Sequence, residues 1–329
     1  LQQLPKLSAN AIEILKTTKN LLAFSGGSDS TALFFILKEL NIKFDVALVN
    51  YQTRKESSLE EEYAKQLAKQ NNKECFTLTC KLENNNFEHN ARSTRYTFFQ
   101  EIIDKNAYDV LLTAHHLNDK FEWFLMQLSR GAGAVELSGM NEVEETQNFK
   151  TIRPLLHVEK KQIETFLHVN KIKYFLDASN NDKKYFRNQI RNEFSNAFCE
   201  KYANGIKKSF DYLQRDTKRL LPKNTQHIKN LYILENNEDD LINIRGIDKI
   251  VKKLGTLLSS ASREEILRTK DCIVSSKIAV VFSQNKIYIC PWIKITMDKK
   301  FKEACRVEKI PSKIRPYMYK ENISIETIL

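Results

Sequence analysis

The stretch "NLLAFSGGSDSTALFFILKEL", residues 20–40, decides how the chain is read. An apolar run from Leu21 to Phe24 meets Ser25-Gly26-Gly27-Ser28-Asp29-Ser30, after which apolar residues recur at helical spacing. A buried strand that ends in Ser-Gly-Gly and turns at once into a helix beginning near Asp29 aims a row of backbone N–H groups and the positive end of a helix dipole at one spot. Glycines let the backbone approach an anion closely, and Ser25, Ser28 and Ser30 add hydroxyl donors. The plainer reading is a strand-to-helix turn capped by serine or aspartate. The spacing favours a phosphate, though not through a Walker loop, because the Gly-Lys-Ser/Thr ending is missing, nor through a dinucleotide G-x-G-x-x-G.

Outward from this turn the pattern alternates between strand and helix. Buried-strand runs at Leu21–Phe24, Phe44–Val49, Phe76–Leu78 and Val110–Thr113 are each followed by helical spacing, at Thr31–Leu40, Leu59–Gln70, Ala91–Ile103 and Leu117–Leu128. This predicts an α/β fold, a doubly wound parallel sheet with its ligands beyond the carboxyl ends of the strands. After Pro154 the spacing becomes mostly helical. "LPKNTQH", residues 221–227, and the acidic "ENNEDD" after it read as linker or exposed loop, and "IAVVFSQNKIYICPWIKI" as a hairpin turning at Gln284-Asn285. The expected organisation is a catalytic domain over 1–195, a helical linker over 196–223 and a small α+β module over 224–329.

Charge divides the chain differently. Residues 1–149 hold 16 basic against 20 acidic side chains (net −4), residues 150–229 hold 18 against 8 (net +10), and residues 230–329 hold 18 against 13 (net +5). All the excess positive charge lies in the second half, which predicts a polyanionic partner there and an affinity that falls steeply with salt. The bland account is a set of lysine-rich solvated faces. No apolar stretch approaches the length of a membrane span and no basic segment leads into an apolar one at the start of the chain, so a cytoplasmic address and no membrane partner are expected. The six scattered cysteines form no Cys-x-x-Cys pair and read as reduced packing residues.

Three further segments carry candidate chemistry. In "TAHHLNDKFEWFLMQLSRGAGAVELSGM", residues 113–140, Asp119 and Glu122 are three apart and share a helical face near the same strand ends as the phosphate loop. Such a pair suits an amine cation or Mg²⁺, although acidic residues also complement a helix N-terminus. His115 and His116 could serve as acid/base groups, and Lys120 lies about 100° around the helix from Asp119. Five of the eight glycines fall in this segment or the phosphate loop, which marks those positions as required. "EHNARSTRYTFF", residues 88–99, places Arg92 and Arg95 on one helical face, and "YFLDASNNDKKYFRNQIRNEF", residues 174–194, places Arg187 and Arg191 one turn apart. Their planar donor forks suit phosphate or carboxylate. Each pair taken alone reads better as an exposed, salt-bridged helix.

Ser25–Ser30 resembles the signature of the PP-loop ATP pyrophosphatases, with the adenine nucleotide α-hydrolase-like fold. Beyond it, Ala91–Tyr96, His115–Glu122, Arg130–Gly133, Gly139-Met140, Arg153–Leu156, Asp177–Asn180 and Arg187–Arg191 follow in the order of the tRNA(Ile)-lysidine synthetases, which the chain resembles over roughly residues 18–195. That resemblance implies a ligase using ATP and Mg²⁺. ATP adenylylates the C2 oxygen of the wobble cytidine in a CAU-anticodon tRNA(Ile), and free L-lysine then displaces AMP to leave lysidine. It implies that Ser25, Gly26, Gly27, Ser28, Asp29 and Ser30 hold ATP, that Asp29 helps bind Mg²⁺, and that Asp119 and Glu122 bind the lysine. Arg92 or Arg95, and Arg187 or Arg191, match positions for nucleotide, carboxylate or RNA contacts. The C-terminal half would grip the tRNA, and a homodimer stays open. Two alternatives stand beside this, a PP-loop tRNA thiolase and a non-catalytic tRNA-binding protein that retains the loop.

Overall fold

Leu21 and Leu22 are neighbours on one strand and both are fully buried. Their side chains point to opposite faces, so both faces of the sheet must be covered. In the computed structural model, which describes residues 1–53, 57–82, 87–145, 149–176 and 186–328, they are. The chain forms two units, residues 1–211 and 212–329.

The first unit runs α1 (Ala9–Thr17), β1 (Asn20–Ala23), α2 (Ser28–Glu39), β2 (Phe44–Asn50), α3 (Ser57–Gln70), β3 (Cys75–Thr79), α4 (Phe87–Asn106), β4 (Val110–Leu112), α5 (Leu117–Leu128), α6 (Ala134–Leu137), β5 (Val143–Glu145), β6 (Lys150–Ile152), α7 (Lys160–Val169) and α8 (Phe186–Ile190). A π-helical turn over Arg191–Ser195 leads into α9 (Asn196–Arg219), within which the division between the units falls. The sheet order is β3-β2-β1-β4-β6-β5, parallel except for the antiparallel edge β5. Leu22, Val46, Leu112 and Ile152 pack on one face with Leu33, Phe34, Ile163 and Phe166 of α2 and α7. Leu21, Ala47 and Leu111 pack on the other with Phe98, Phe99 and Ile103 of α4. This is the doubly wound α/β sheet. From β1 the chain winds outward to β2 and β3, then returns to β4 on the opposite side of β1. The loops after β1 and β4 therefore diverge from adjacent strand ends, which is the switch point where ligands of such sheets bind.

Four of these strands lie where the apolar runs predict them. The fifth parallel strand, β6, is the three-residue "KTI", too short to register as a periodicity.

The second unit continues with β7 (Thr225–Ile228), β8 (Leu231–Glu235), α10 (Asp240–Lys253), α11 (Ser260–Thr269), β9 (Asp271–Val274), β10 (Ile278–Ser283), β11 (Lys286–Pro291), α12 (Lys299–Val307) and α13 (Arg315–Lys320). Its antiparallel sheet has the order β7-β8-β11-β10-β9, and the hairpin β10–β11 turns at Gln284-Asn285. Alternation again sorts the core: Tyr232, Leu234, Ile278 and Val280 meet α10 and α11, whereas Leu231, Ile233, Ala279 and Val281 meet α12 and α13. The "LPKNTQH" stretch is not all linker, because Thr225 onward forms β7. As an edge strand it keeps "TQH" exposed, and so it carries no apolar signature.

No helix among the described residues is long and apolar enough to cross a membrane.

Candidate active site

The loop after β1 folds as its composition requires. Gly26 holds φ +76°, a left-handed conformation that favours glycine, and its backbone carbonyl accepts a hydrogen bond from Phe175 N at 2.9 Å. Gly27 is the N-cap of α2 and offers no side-chain acceptor, so no cap side chain covers the first N–H groups of the helix. Ser25 and Ser30 close the turn, with their hydroxyls 3.1 Å apart and Ser25 N donating to Ser30 Oγ at 3.2 Å. Asp29 sits on the first turn of α2, its side chain one-third exposed.

At the adjacent strand end, α5 begins against this loop. Asp119 Oδ2 accepts from His116 N at 3.0 Å, and the His116 ring lies between two carboxylates, with Nε2 3.4 Å from Asp119 and 3.8 Å from Asp29. His116 therefore joins the loop after β1 to the acidic face of α5. The sequence named it only as one of a histidine pair. His115 is the other kind of histidine: its Nδ1 is 2.9 Å from Thr113 Oγ1, and burial pushes its pKa down to about 4, leaving it neutral near pH 7.

Asp119 and Glu122 meet the last arginine pair directly. Arg187 donates to Asp119 Oδ1 at 2.7 Å and to Glu122 Oε2 at 2.8 Å, and Arg191 donates through two nitrogens to both Glu122 oxygens at 2.8 and 3.0 Å. Glu122 is completely buried. Burial alone would raise the Asp119 carboxyl, but His116 and Arg187 outweigh it and hold the group below the usual carboxylate range. The π-helical turn at Arg191–Ser195 follows this contact, a distortion common at functional sites.

Lys160 belongs to the same cluster and no sequence motif pointed to it. Its ammonium reaches Asp29 Oδ1 at 2.6 Å and Ser28 Oγ at 2.7 Å from the first residue of α7. Three carboxylates, Asp29, Asp119 and Glu122, thus face three cations, Lys160, Arg187 and Arg191. Spacing could not find Lys160, because the contact closes across 131 residues.

The first arginine pair is placed differently. Arg92 and Arg95 are exposed on α4, Arg92 stacked over Tyr96 and Arg95 Nε 3.3 Å from Tyr51 Oη. Arg92 still acts on the site at a distance, as one of the cations that lower His115. Arg153 bonds Asn141 O and Glu144 Oε2, tying β6 to the chain before it. Gly139 is needed sterically, since a Cβ there would lie 2.8 Å from the Trp123 ring. The motif residues Asp177–Asn180 lie outside the described residues.

Lys120 turns away from the carboxylates. It is 3 % exposed, and its ammonium sits over the Phe210 ring at 4.6 Å. Burial pushes its pKa from an ordinary 10.5 down to about 8. Because the folded value is the lower one, the unfolded chain binds the extra proton between about pH 8 and 10.5, and stability should rise with pH across that window. Lys120→Met should therefore stabilise the protein at pH 7 by about 2 kcal/mol and flatten that rise. Denaturant melts at pH 7 and pH 10 check this; equal stabilisation at both values would show that the ammonium is not the cause.

Mg²⁺ is bound through one or two carboxylates plus substrate phosphates. Asp29, one-third exposed on the first turn of α2, fits that role. The described residues contain no group of three or more His, Cys, Asp or Glu that could hold a metal ion.

A PP-loop domain family model matches residues 2–198. A tRNA(Ile)-lysidine synthase of Campylobacter jejuni (strain RM1221) is 46 % identical over 319 residues, covering 96 % of this chain and 97 % of that one. That of Wolinella succinogenes is 41 % identical over 313 residues, covering 94 % and 96 %, and that of Helicobacter pylori (strain 26695) is 37 % identical over 314 residues, covering 94 % and 92 %.

Proposed function

Because the chain belongs to the tRNA(Ile)-lysidine synthases, ligases built on an ATP-using PP-loop domain, we propose that it joins free L-lysine to C2 of the wobble cytidine in a CAU-anticodon tRNA(Ile). In the first step the C2 oxygen of the base attacks the α-phosphorus of ATP. The bond to the bridging oxygen breaks and pyrophosphate leaves. In the second, the lysine ε-amine attacks C2, the C2–O bond breaks, AMP departs, and the amine gives up a proton.

The observation that carries this reading is the gathering of Asp29 and Asp119 around the His116 ring, whose Nε2 lies 3.8 and 3.4 Å from them, with Glu122 joined to Asp119 through Arg187. It sets a phosphate-loop aspartate beside a pair of carboxylates suited to an amine. In this reading the N–H groups at the start of α2, with Ser25, Ser28 and Ser30, cradle the β- and γ-phosphates. Asp29 holds Mg²⁺, whose charge offsets that of the phosphates. Asp119 and Glu122 take an ammonium of lysine, which competes there with Arg187 and Arg191. The displaced guanidiniums are then free to face phosphate or RNA, where fixed positive charge stabilises the reacting phosphate.

An RNA substrate also suits the helix beyond the arginines. Phe194, Phe198 and Tyr202 are spaced by four residues and are each about half exposed, with Phe198 stacked on Phe121 at 5.3 Å. Open aromatic faces beside cations are the usual platform for unstacked nucleobases. The +10 charge of residues 150–229 agrees with this.

The thiolase alternative finds no support in the thiols. Burial pushes Cys75 up to about 11 and raises Cys80, the reverse of what a reactive thiolate needs. The test is to incubate the protein with ATP, Mg²⁺, radiolabelled lysine and unmodified CAU-anticodon tRNA(Ile). Label should enter RNA and stay after mild alkaline deacylation, with pyrophosphate released. Pyrophosphate without label in RNA would move the acceptor or nucleophile elsewhere, and neither product would leave a tRNA-binding protein.

A further inference from the structure

The loop between β1 and α2 has no lysine of its own, yet an ammonium stands over it. Lys160 occupies the first position of α7, where the helix dipole disfavours a cation, so helix stability does not account for a lysine there. Its location is nevertheless closely specified. Lys160 N donates to Asn118 Oδ1 at 3.1 Å, which fastens the start of α7 to the first turn of α5. From that anchor the side chain crosses to the first turn of α2 and contacts both Asp29 Oδ1 and Ser28 Oγ. The other acid near it, Glu164, is 4.0 Å away and more than half exposed.

We propose that Lys160 is the phosphate-binding cation of this loop, supplied from α7 instead of from the loop itself. In this structure its ammonium is held on Asp29 and Ser28. When ATP enters, it exchanges the single carboxylate charge for the larger charge of the β- and γ-phosphates, a shift of a few ångströms within reach of its flexible four-carbon stem. Asp29 is thereby released for the metal that accompanies the nucleotide. Lys160 in this role answers the absence of the lysine that a Walker loop carries in sequence. The inference rests on the reading of the loop as an ATP site.

Calorimetric binding of ATP and of AMP, both with Mg²⁺, separates the two ideas. Against wild type, Lys160→Met should weaken ATP about 30-fold, the loss of one charge-assisted contact. AMP affinity should stay within about twofold, because AMP lacks the β- and γ-phosphates, and Lys160→Arg should recover most of the ATP affinity. Lys160→Gln, which can still bond Asp29, carries the test if the methionine variant does not fold. Equal weakening of ATP and AMP, or no weakening of either, would overturn the proposal and leave Lys160 as a tie between α7 and α2. A wild-type chain that binds no ATP would overturn the reading of the loop, and this proposal with it.

Discussion

Asp29→Ala should lower pyrophosphate release in the presence of tRNA and lysine by about 10³-fold, the usual scale for removing one preorganised charge from a reacting phosphate, while tRNA affinity stays within about twofold. The carboxylate is the one acidic group on the phosphate loop, and it also holds Lys160 and faces His116. Losing it therefore removes the expected metal ligand and unbalances the cluster. Asp29→Asn makes the test sharper. The amide keeps the shape of the side chain and one acceptor for Lys160, so a purely structural role would be largely rescued, whereas a metal-binding role would not. Activity near wild type in the asparagine variant would remove Asp29 from the metal site. A parallel loss of tRNA binding in either variant would instead point to a disordered loop.

The second large effect is expected at Glu122. It is buried completely and accepts from Arg187 and from both donor nitrogens of Arg191. Removing one partner of a buried ion pair leaves the other uncompensated, at a cost of about 3–5 kcal/mol. Both guanidiniums here are partly exposed, at 44 % and 24 %, so water offsets part of that. Glu122→Ala should cost about 3 kcal/mol in denaturant unfolding. Glu122→Gln, with the shape preserved, should cost about 1–2 kcal/mol and still lose lysine transfer by about 10²-fold, seen mainly as a raised KM for lysine. If the glutamine variant transfers lysine normally, Glu122 serves only to position Arg187 and Arg191. A raised KM for ATP with lysine unaffected would give those arginines, and not the carboxylate, the main task.

The fold was legible because its determinants are local. Leu21–Phe24 followed by Ser-Gly-Gly-Ser-Asp-Ser states a buried strand, a glycine turn and a helix start, all within ten residues, and the structure adds that Gly26 holds positive φ in that turn. The alternation in "IAVVFS" and "KIYICP" likewise states a two-faced hairpin. The three-residue β6 and the polar edge strand β7 were not legible, because a strand that short or that exposed has no periodicity to read.

Residue types and their order determined by themselves that a phosphate-seeking loop, a carboxylate pair on one helical face and two arginine pairs exist in this chain. Which of these groups meet was decided only by the tertiary structure. The sheet order sets β1 beside β4, so Asp29 and Asp119 come to share His116. Of two arginine pairs that look alike in sequence, Arg187 and Arg191 close on Glu122 while Arg92 and Arg95 stay exposed on α4. Lys160, in no motif, reaches the loop because α7 is fastened to α5 through Asn118. Periodicity reports the face a side chain occupies within its own element. Contact between charges depends on distances of a few ångströms between elements far apart in the chain, and only the packed core fixes those.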